Sequence, residues 1–166
     1  DLNARDSHGY SALLLTGPSG GRAAIENEKD KKSVAAFVSA KIEIAKLLLD
    51  HGADAAAKDN KGGTALYSWA NNLEVSKLLV KHGADVNAKT DDYGLTPLIS
   101  AAIAGNAEVV RFLLAHGADA TAKTSNGGTA ETGVCADWPN KKQPCPKGEI
   151  LAALARASAS AGSATR

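Results

Sequence analysis

The sequence is poor in the residues that most often carry chemistry. Its 166 residues include no methionine, two cysteines, four histidines, two tryptophans, three tyrosines and two phenylalanines. Two cysteines alone cannot supply the four ligands of a structural zinc site. Methionine is missing even at position 1, which indicates a mature form after cleavage or a trimmed fragment, so an export signal cannot be read from these residues.

The sequence also has no excess charge of one sign and no long apolar run. Nineteen basic residues against eighteen acidic ones leave a formal net charge of +1, so no overall field attracts nucleic acid or an anionic membrane. The longest runs of bulky apolar residues are triplets such as Leu13–Leu15, whereas a membrane helix needs about 20 residues. We expect no nucleic-acid partner and no membrane insertion, which leaves a protein or a small molecule as the partner.

The sequence does contain internal repeats, within a globular composition of 44% hydrophobic and 22% charged residues. Three segments follow one pattern, and their Gly-Ala-Asp triplets begin at Gly52, Gly83 and Gly117, spaced 31 and 34 residues apart. The segments are "LLLDHGADAAAKDNKGGTAL" at 47–66, "LLVKHGADVNAKTDDYGLTPL" at 78–98 and "FLLAHGADATAKTSNGGTA" at 112–130. Repetition at this period is typical of solenoid proteins.

Each repeat predicts a turn followed by two helices. In "AEVVRFLLAHG", at 107–117, the apolar positions between 109 and 114 cover one helical face. Gly117 follows where a left-handed cap favours glycine, and Thr96 supplies a hydroxyl cap in front of a short helix that begins with proline. Phe37 and Phe112, at helical spacing with neighbouring valines, are predicted to be core residues. Since one unit cannot bury its own apolar face, the units must stack.

This pattern resembles the ankyrin repeat, with its Asp-x-x-Gly-x-Thr-Pro-Leu turn, two helices and terminal Gly-Ala-Asp. The resemblance implies an all-α solenoid of about four helix-turn-helix repeats with short β-turn fingers. In this register one domain covers 1–157, and the tail that follows it is flexible. Residues 1–5, "DLNAR", match the end of a repeat whose beginning is missing, which indicates more ankyrin-like sequence or an unusual cap upstream. The predicted segments are a partial repeat at 1–5, repeats at 6–58, 59–90, 91–123 and 124–157, and the tail at 158–166.

Two repeats carry insertions between their helices. Residues 11–43 and 129–149 span 32 and 20 positions, where the equivalent residues 96–108 span 12. Both insertions fall in the helix-to-helix turn, which lies along one edge of such a stack. The second insertion contains both cysteines, Cys135 and Cys145, around Trp138.

The two cysteines favour a disulfide, with two alternatives. Nine residues separate Cys135 from Cys145, and closing this ring stabilises the fold by roughly 3 kcal/mol in the chain-entropy model. A zinc site is one alternative, although the nearest histidine, His116, belongs to the repeat pattern. Two free thiols in a cytosolic loop are the other. If the disulfide forms, the protein works in an oxidising compartment such as the periplasm or outside the cell.

The resemblance implies that partners bind to a concave surface made of turn tips and first helices. Trp138 in the cysteine loop is a further candidate contact. For Trp69, where the family usually has Ala, the alternative is that the ring fills space left by a shortened turn. The expected contact positions are Asp6, Ser7, His8, Tyr10, Asn60, Lys61, Tyr67, Trp69, Asn71, Asp92, Tyr93, Leu95, Ile103, Ser125, Asn126 and Trp138.

Exported bacterial ankyrin proteins are similar in having few repeats and a cysteine-stapled cap, and some act as immunity or self-protection inhibitors. This looser resemblance implies a periplasmic or secreted inhibitor that occludes a partner enzyme, such as a secreted toxin or a cell-wall enzyme. The alternative is a fragment of a cytosolic ankyrin scaffold without inhibitory activity. No residues assemble a nucleophile, a base and an oxyanion donor. We therefore expect no enzyme activity, no cofactor and no metal site.

Overall fold

The described residues of the chain fold into four consecutive pairs of helices. The computed structural model describes residues 1–17, 28–134 and 148–163. These ranges contain no strand, and their β-type pairing is an isolated bridge between Lys58 and Thr64. The predicted all-α solenoid is therefore confirmed. Its helices are α1 (Ala12–Thr16), α2 (Glu28–Asp50), α3 (Ala65–Ser68), α4 (Leu73–Lys81), α5 (Pro97–Ala104), α6 (Ala107–Ala115), α7 (Ala130–Gly133) and α8 (Gly148–Ser163).

Side-chain caps fix where the helices begin. Each first helix of a pair follows a hydroxyl residue whose oxygen accepts the N–H three positions on, as predicted for Thr96. Helices α4 and α6 begin after asparagines instead. Asn72 Oδ1 accepts the N–H of Val75 at 3.0 Å, and Asn106 Oδ1 accepts that of Val109 at 3.1 Å. These bonds pair donors that the first turn of a helix leaves unsatisfied.

A Gly-Ala-Asp turn follows the second helix of each of the first three pairs, namely α2, α4 and α6. Gly52, Gly83 and Gly117 have φ angles of 90°, 90° and 86°, in the left-handed region that favours glycine. The side chain of the aspartate in each triplet then accepts a hydrogen bond from the backbone N–H two residues after it. The N–H to Oδ1 distances are 2.9, 2.8 and 2.8 Å for Asp54, Asp85 and Asp119. The same turn therefore follows each of the first three pairs.

Four turns, one in front of each helix pair, project from the stack, and we call them fingers: residues 6–10, 59–63, 90–95 and 124–128. In each finger the first N–H donates to the last carbonyl, at 2.8 to 3.1 Å. Neighbouring fingers are also linked through their backbones. Asn60 N–H donates to His8 O at 3.0 Å, Asp91 N–H to Lys61 O at 2.8 Å, and Ser125 N–H to Tyr93 O at 2.9 Å. The fingers therefore support one another along the stack.

The core runs the length of the stack, between neighbouring pairs. First helices pack on first helices and second helices on second helices, so that α3 lies between α1 and α5, and α4 between α2 and α6. Leu66 and Leu79 in the second pair are fully buried. Since each pair contacts its immediate neighbours, the stability of the stack depends on the interfaces between pairs.

Two features of the helices differ from the sequence-based expectation. Phe37, predicted to be core, is 61% exposed, and the Lys41 ammonium lies 4.9 Å from its ring centroid. Helix α2 has 23 residues where α4 has 9, and Phe37 falls on the part without a counterpart in α4, so this prediction is wrong. Helix α8 extends to Ser163, into the segment that was predicted to be a flexible tail.

Candidate protein-binding groove

A groove of about 520 Å³ lies between the first three fingers and the helices α1 and α3. Leu14 is buried in its floor, whereas Leu15 is 58% exposed. Residues from three different fingers and two different helices meet there, far apart in sequence. We call this surface the tyrosine groove, and its lining consists of Tyr10, Leu14, Leu15, Gly17, Asp59, Lys61, Gly63, Tyr67, Ser68, Thr90, Asp92, Tyr93 and Leu95.

All three tyrosines of the chain line this groove. Tyr93 is 65% exposed, and Tyr10 and Tyr67 are half-buried. Burial raises the pKa of the Tyr67 phenol, so its hydroxyl stays neutral and can donate a hydrogen bond at neutral pH. Tyrosines that combine apolar area with a polar tip are well suited to protein contacts.

The fingers hold the groove residues in place through side-chain bonds to their own backbones. Asp6 Oδ1 accepts the N–H groups of His8 and Tyr10, both at 2.9 Å. In the next finger, Asp59 Oδ1 accepts from Lys61 and Gly63, both at 2.8 Å. Because the fingers are also linked to each other, they lose little conformational entropy when a partner binds.

The groove combines apolar area with charges of both signs. Leu14, Leu15 and Leu95 supply aliphatic surface next to the tyrosine rings, while Asp59, Asp92 and Lys61 supply charge. Such a lining suits a protein segment with apolar and polar side chains. In the described ranges no three His, Cys, Asp or Glu residues are grouped to hold a metal ion, and no helix there is long and apolar enough to cross a membrane.

The structure separates the predicted contact residues into groups. The groove brings together Tyr10, Lys61, Tyr67, Asp92, Tyr93 and Leu95. Another group lies on exposed parts of the fingers without lining the groove, namely Asp6, Ser7, His8, Asn60, Ser125 and Asn126. Asn71 follows the α3 helix and Ile103 lies on α5, and both are exposed.

Trp69 is not a partner contact, and that prediction is wrong. The side chain is 1% exposed, and its indole N–H donates to the Thr16 hydroxyl at 3.2 Å. The Trp69 carbonyl also accepts the buried hydroxyl of Ser76 at 3.1 Å. The residue ties the first pair to the second from inside the core, which agrees with the alternative that the ring fills interior space.

Several groove residues were missed by reasoning from the sequence. Leu15 belongs to a leucine triplet that reads as uniform core, and Asp59 reads as a turn residue of the repeat. Thr90 also lies outside the predicted set, although its hydroxyl accepts the Leu95 N–H at 3.1 Å. The sequence did contain a signal that the Leu15 position is not in the core. The equivalent positions in the next two repeats hold the polar residues Ser68 and Ser100. Cys135, Cys145 and Trp138 lie outside the described residues.

Comparison with known proteins agrees with this repeated architecture. A family model described as ankyrin repeats, with three copies, matches residues 22–124. The matched range covers more than half of the chain, including the three Gly-Ala-Asp turns and two of the three groove tyrosines. No curated protein matches the sequence.

Proposed function

We propose that this chain, which belongs to the ankyrin repeat family, binds its partner protein in the tyrosine groove. Ankyrin repeats are typically non-enzymatic modules for protein interaction, which makes a protein partner the expected ligand. The observation that carries the choice of surface is that Tyr10 and Tyr93, on mutually bonded fingers, meet Tyr67 of α3 in one groove. Rigid aromatic side chains lose little conformational freedom on binding and often dominate the binding energy.

The partner that we propose is an enzyme, such as a secreted toxin or a cell-wall hydrolase, whose active site the bound protein occludes. This finer proposal rests on the looser similarity to exported ankyrin proteins that act as immunity proteins. A pre-ordered groove and its projecting fingers form a surface that docks as one body, which suits occlusion of an enzyme cleft. A periplasmic or secreted location is proposed on the cysteine spacing of Cys135 and Cys145.

Affinity capture with matched baits tests the surface. The baits are wild type, Tyr93→Ala in the groove, and Lys77→Ala on the exposed side of α4. A specific partner is retained by wild type and by Lys77→Ala but is reduced with Tyr93→Ala. If Tyr93→Ala retains the partner as well as wild type does, binding through the groove is wrong.

An activity assay on the captured protein then tests the inhibitor proposal. Adding the wild-type chain in stoichiometric amounts should suppress the activity of a captured enzyme. Adding Tyr93→Ala at the same concentration should leave most of that activity in place. A captured protein that keeps its full activity when saturated would contradict inhibition. Such a result would favour the alternative, a cytosolic ankyrin scaffold that assembles proteins without inhibiting them.

A further inference from the structure

The fingers that form the tyrosine groove are negatively charged, although the chain as a whole is not. These three fingers, residues 6–10, 59–63 and 90–95, contain four aspartates and one lysine, a formal charge of −3 with His8 neutral, whereas the whole chain carries +1. The fourth finger, residues 124–128, contributes nothing to the groove lining and has no charged residue in its sequence. Negative charge is therefore concentrated on the fingers that form the groove.

The basic residues that directly precede these fingers do not line the groove. The guanidinium of Arg5 donates to the carbonyl of Lys58 at 3.0 Å. Lys89 lies close to the Asp119 carboxylate, in the turn that follows α6. The charged groups that do line the groove are two carboxylates and one ammonium, so the lining itself has an excess of negative charge.

Both carboxylates of the lining have oxygens available to a ligand. Asp92 is exposed, and its side chain makes no hydrogen bond or ion pair with the described residues. Asp59 is half-buried and accepts both of its N–H donors through Oδ1. Its Oδ2 lies beside Gly63, where an added Cβ would come within 2.6 Å of it. Within the described part of the chain the Lys61 ammonium forms no ion pair, so it leaves both carboxylates unpaired.

The aromatic rings of the groove also favour positive charge. The face of a tyrosine ring is the negative part of its quadrupole, and it attracts ammonium and guanidinium groups. Tyr93 is 65% exposed, so much of its ring surface is open to a ligand. The chain already contains one such contact, because the Lys41 ammonium lies 4.9 Å from the ring centroid of Phe37. Rings and carboxylates in the groove therefore select the same sign of charge.

We propose that the tyrosine groove binds a basic side chain of the partner protein, an arginine or a lysine, which lies against the tyrosine rings and pairs with the carboxylates of Asp59 and Asp92. This inference rests on the proposed function, because it names the chemistry of the segment that enters the groove. The aliphatic stem of such a side chain packs on Leu15 and Leu95, which also line the groove. Lys61 repels the same side chain, so removing its charge should strengthen binding.

Two peptides that differ by one charge test the inference on the chain alone. The first is acetylated and amidated Ala-Leu-Arg-Leu-Ala, and the second has citrulline, which is neutral and similar in shape, in place of arginine. In amide chemical-shift titrations at low salt, the arginine peptide should shift the signals of Tyr10, Tyr67 and Tyr93. It should bind about 5-fold more tightly than the citrulline peptide. Groove signals that do not move, or that move equally with both peptides, would overturn the inference.

Two exposed charges of the lining give variants with opposite expected effects. Asp92→Asn should weaken binding of the arginine peptide about 2-fold, and Lys61→Gln should strengthen it by a similar factor. Lys77→Gln, at an exposed position of α4, removes the same charge as Lys61→Gln outside the groove and should leave the affinity unchanged. Melting curves should match wild type, because neither groove side chain is bonded to the described residues. Affinity changes of the same sign in the two groove variants would contradict the inference.

The captured partner separates this inference from the proposed function. If Tyr93→Ala loses the partner, the groove is its binding surface. In calorimetry Asp92→Asn should then bind the partner more weakly than wild type, and Lys61→Gln should bind it more tightly. If Tyr93→Ala loses the partner but Lys61→Gln binds no more tightly, the proposed function stands and the basic side chain is wrong. If Tyr93→Ala retains the partner, the proposed function fails, and the peptide titrations decide the inference.

Discussion

At the scale of single residues, two aromatic side chains in neighbouring repeats lie in opposite environments. Trp69 is 1% exposed and Tyr93 is 65% exposed. The first donates a hydrogen bond inside the core, and the second stands on a finger that lines the groove. Removing each ring therefore separates a structural role from the proposed binding role within one protein.

Tyr93→Ala should weaken partner binding by about 1 to 3 kcal/mol, the range typical of an aromatic anchor. Because the ring is largely exposed, the thermal midpoint should stay nearly unchanged. Calorimetric titration of the recovered partner, with melting curves alongside, measures both quantities. A large fall in midpoint would show that Tyr93 supports the fold, and an unchanged affinity would remove it from the interface.

Trp69→Ala should instead lower the free energy of unfolding by about 3 to 5 kcal/mol, since it leaves a cavity between the first two pairs. Trp69→Phe keeps much of the volume and removes the donor to Thr16, so it should be the milder change. Denaturant unfolding of both variants measures the difference. A loss below about 1 kcal/mol for Trp69→Ala would contradict the packing described here.

At the scale of elements, the Gly-Ala-Asp turn depends on a backbone conformation rather than on space. A Cβ added at Gly117 would meet no atom within 4 Å, but φ there is 86°. Gly117→Ala should therefore destabilise the chain by about 1 to 2 kcal/mol through strain alone. Gly148 is the matched control, because it also has open space and no positive φ. Gly148→Ala should be neutral or slightly stabilising in the same unfolding assay; equal losses at both sites would refute the strain argument.

The carboxylate of the same turn predicts a response to acid. Hydrogen bonds from the Thr121 hydroxyl and then the Thr121 N–H lower the pKa of Asp119 below its usual value of 3.8. A carboxylate with a lowered folded pKa contributes stability above its unfolded pKa, and that contribution is lost as the pH falls through the folded pKa. Asp119→Asn should therefore reduce the loss of stability between about pH 5 and pH 2.

Unfolding in urea at several pH values measures this response. If Asp119→Asn has the same acid dependence as wild type, the turn bonds do not contribute to acid sensitivity. The effect should be small, because Asp119 is exposed to solvent.

At the scale of the whole molecule, the pairs stabilise one another through shared interfaces, and the cysteine insertion sits in the closing pair. We predict a disulfide between Cys135 and Cys145 in protein purified from its own compartment. Intact mass with alkylation before and after reduction measures it. Two thiols that react without reduction would contradict both the disulfide and the proposed oxidising location. Cys135→Ser should lower stability by up to about 3 kcal/mol.

Much of the fold was predictable because its signals are local. The hydroxyl caps, the glycine turns and the apolar spacing each act within a few residues, and the structure confirms them at Thr96 and Gly117. The groove was predictable only in part. Tyr10, Tyr67 and Tyr93 were expected contacts, but no spacing rule shows that they line one groove, because they lie in three different repeats.

By itself the sequence determined the repeat, its period and the ends of its helices, because hydrogen bonds between residues two to five apart decide them. The tertiary structure alone decided which apolar residues are buried. Ile44 and Val75 occupy the same position of the repeat, directly after a glutamate, yet Ile44 is 50% exposed and Val75 is 0% exposed. Burial depends on the neighbour that packs against a side chain, and for Ile44 the described chain supplies no helix pair on that side.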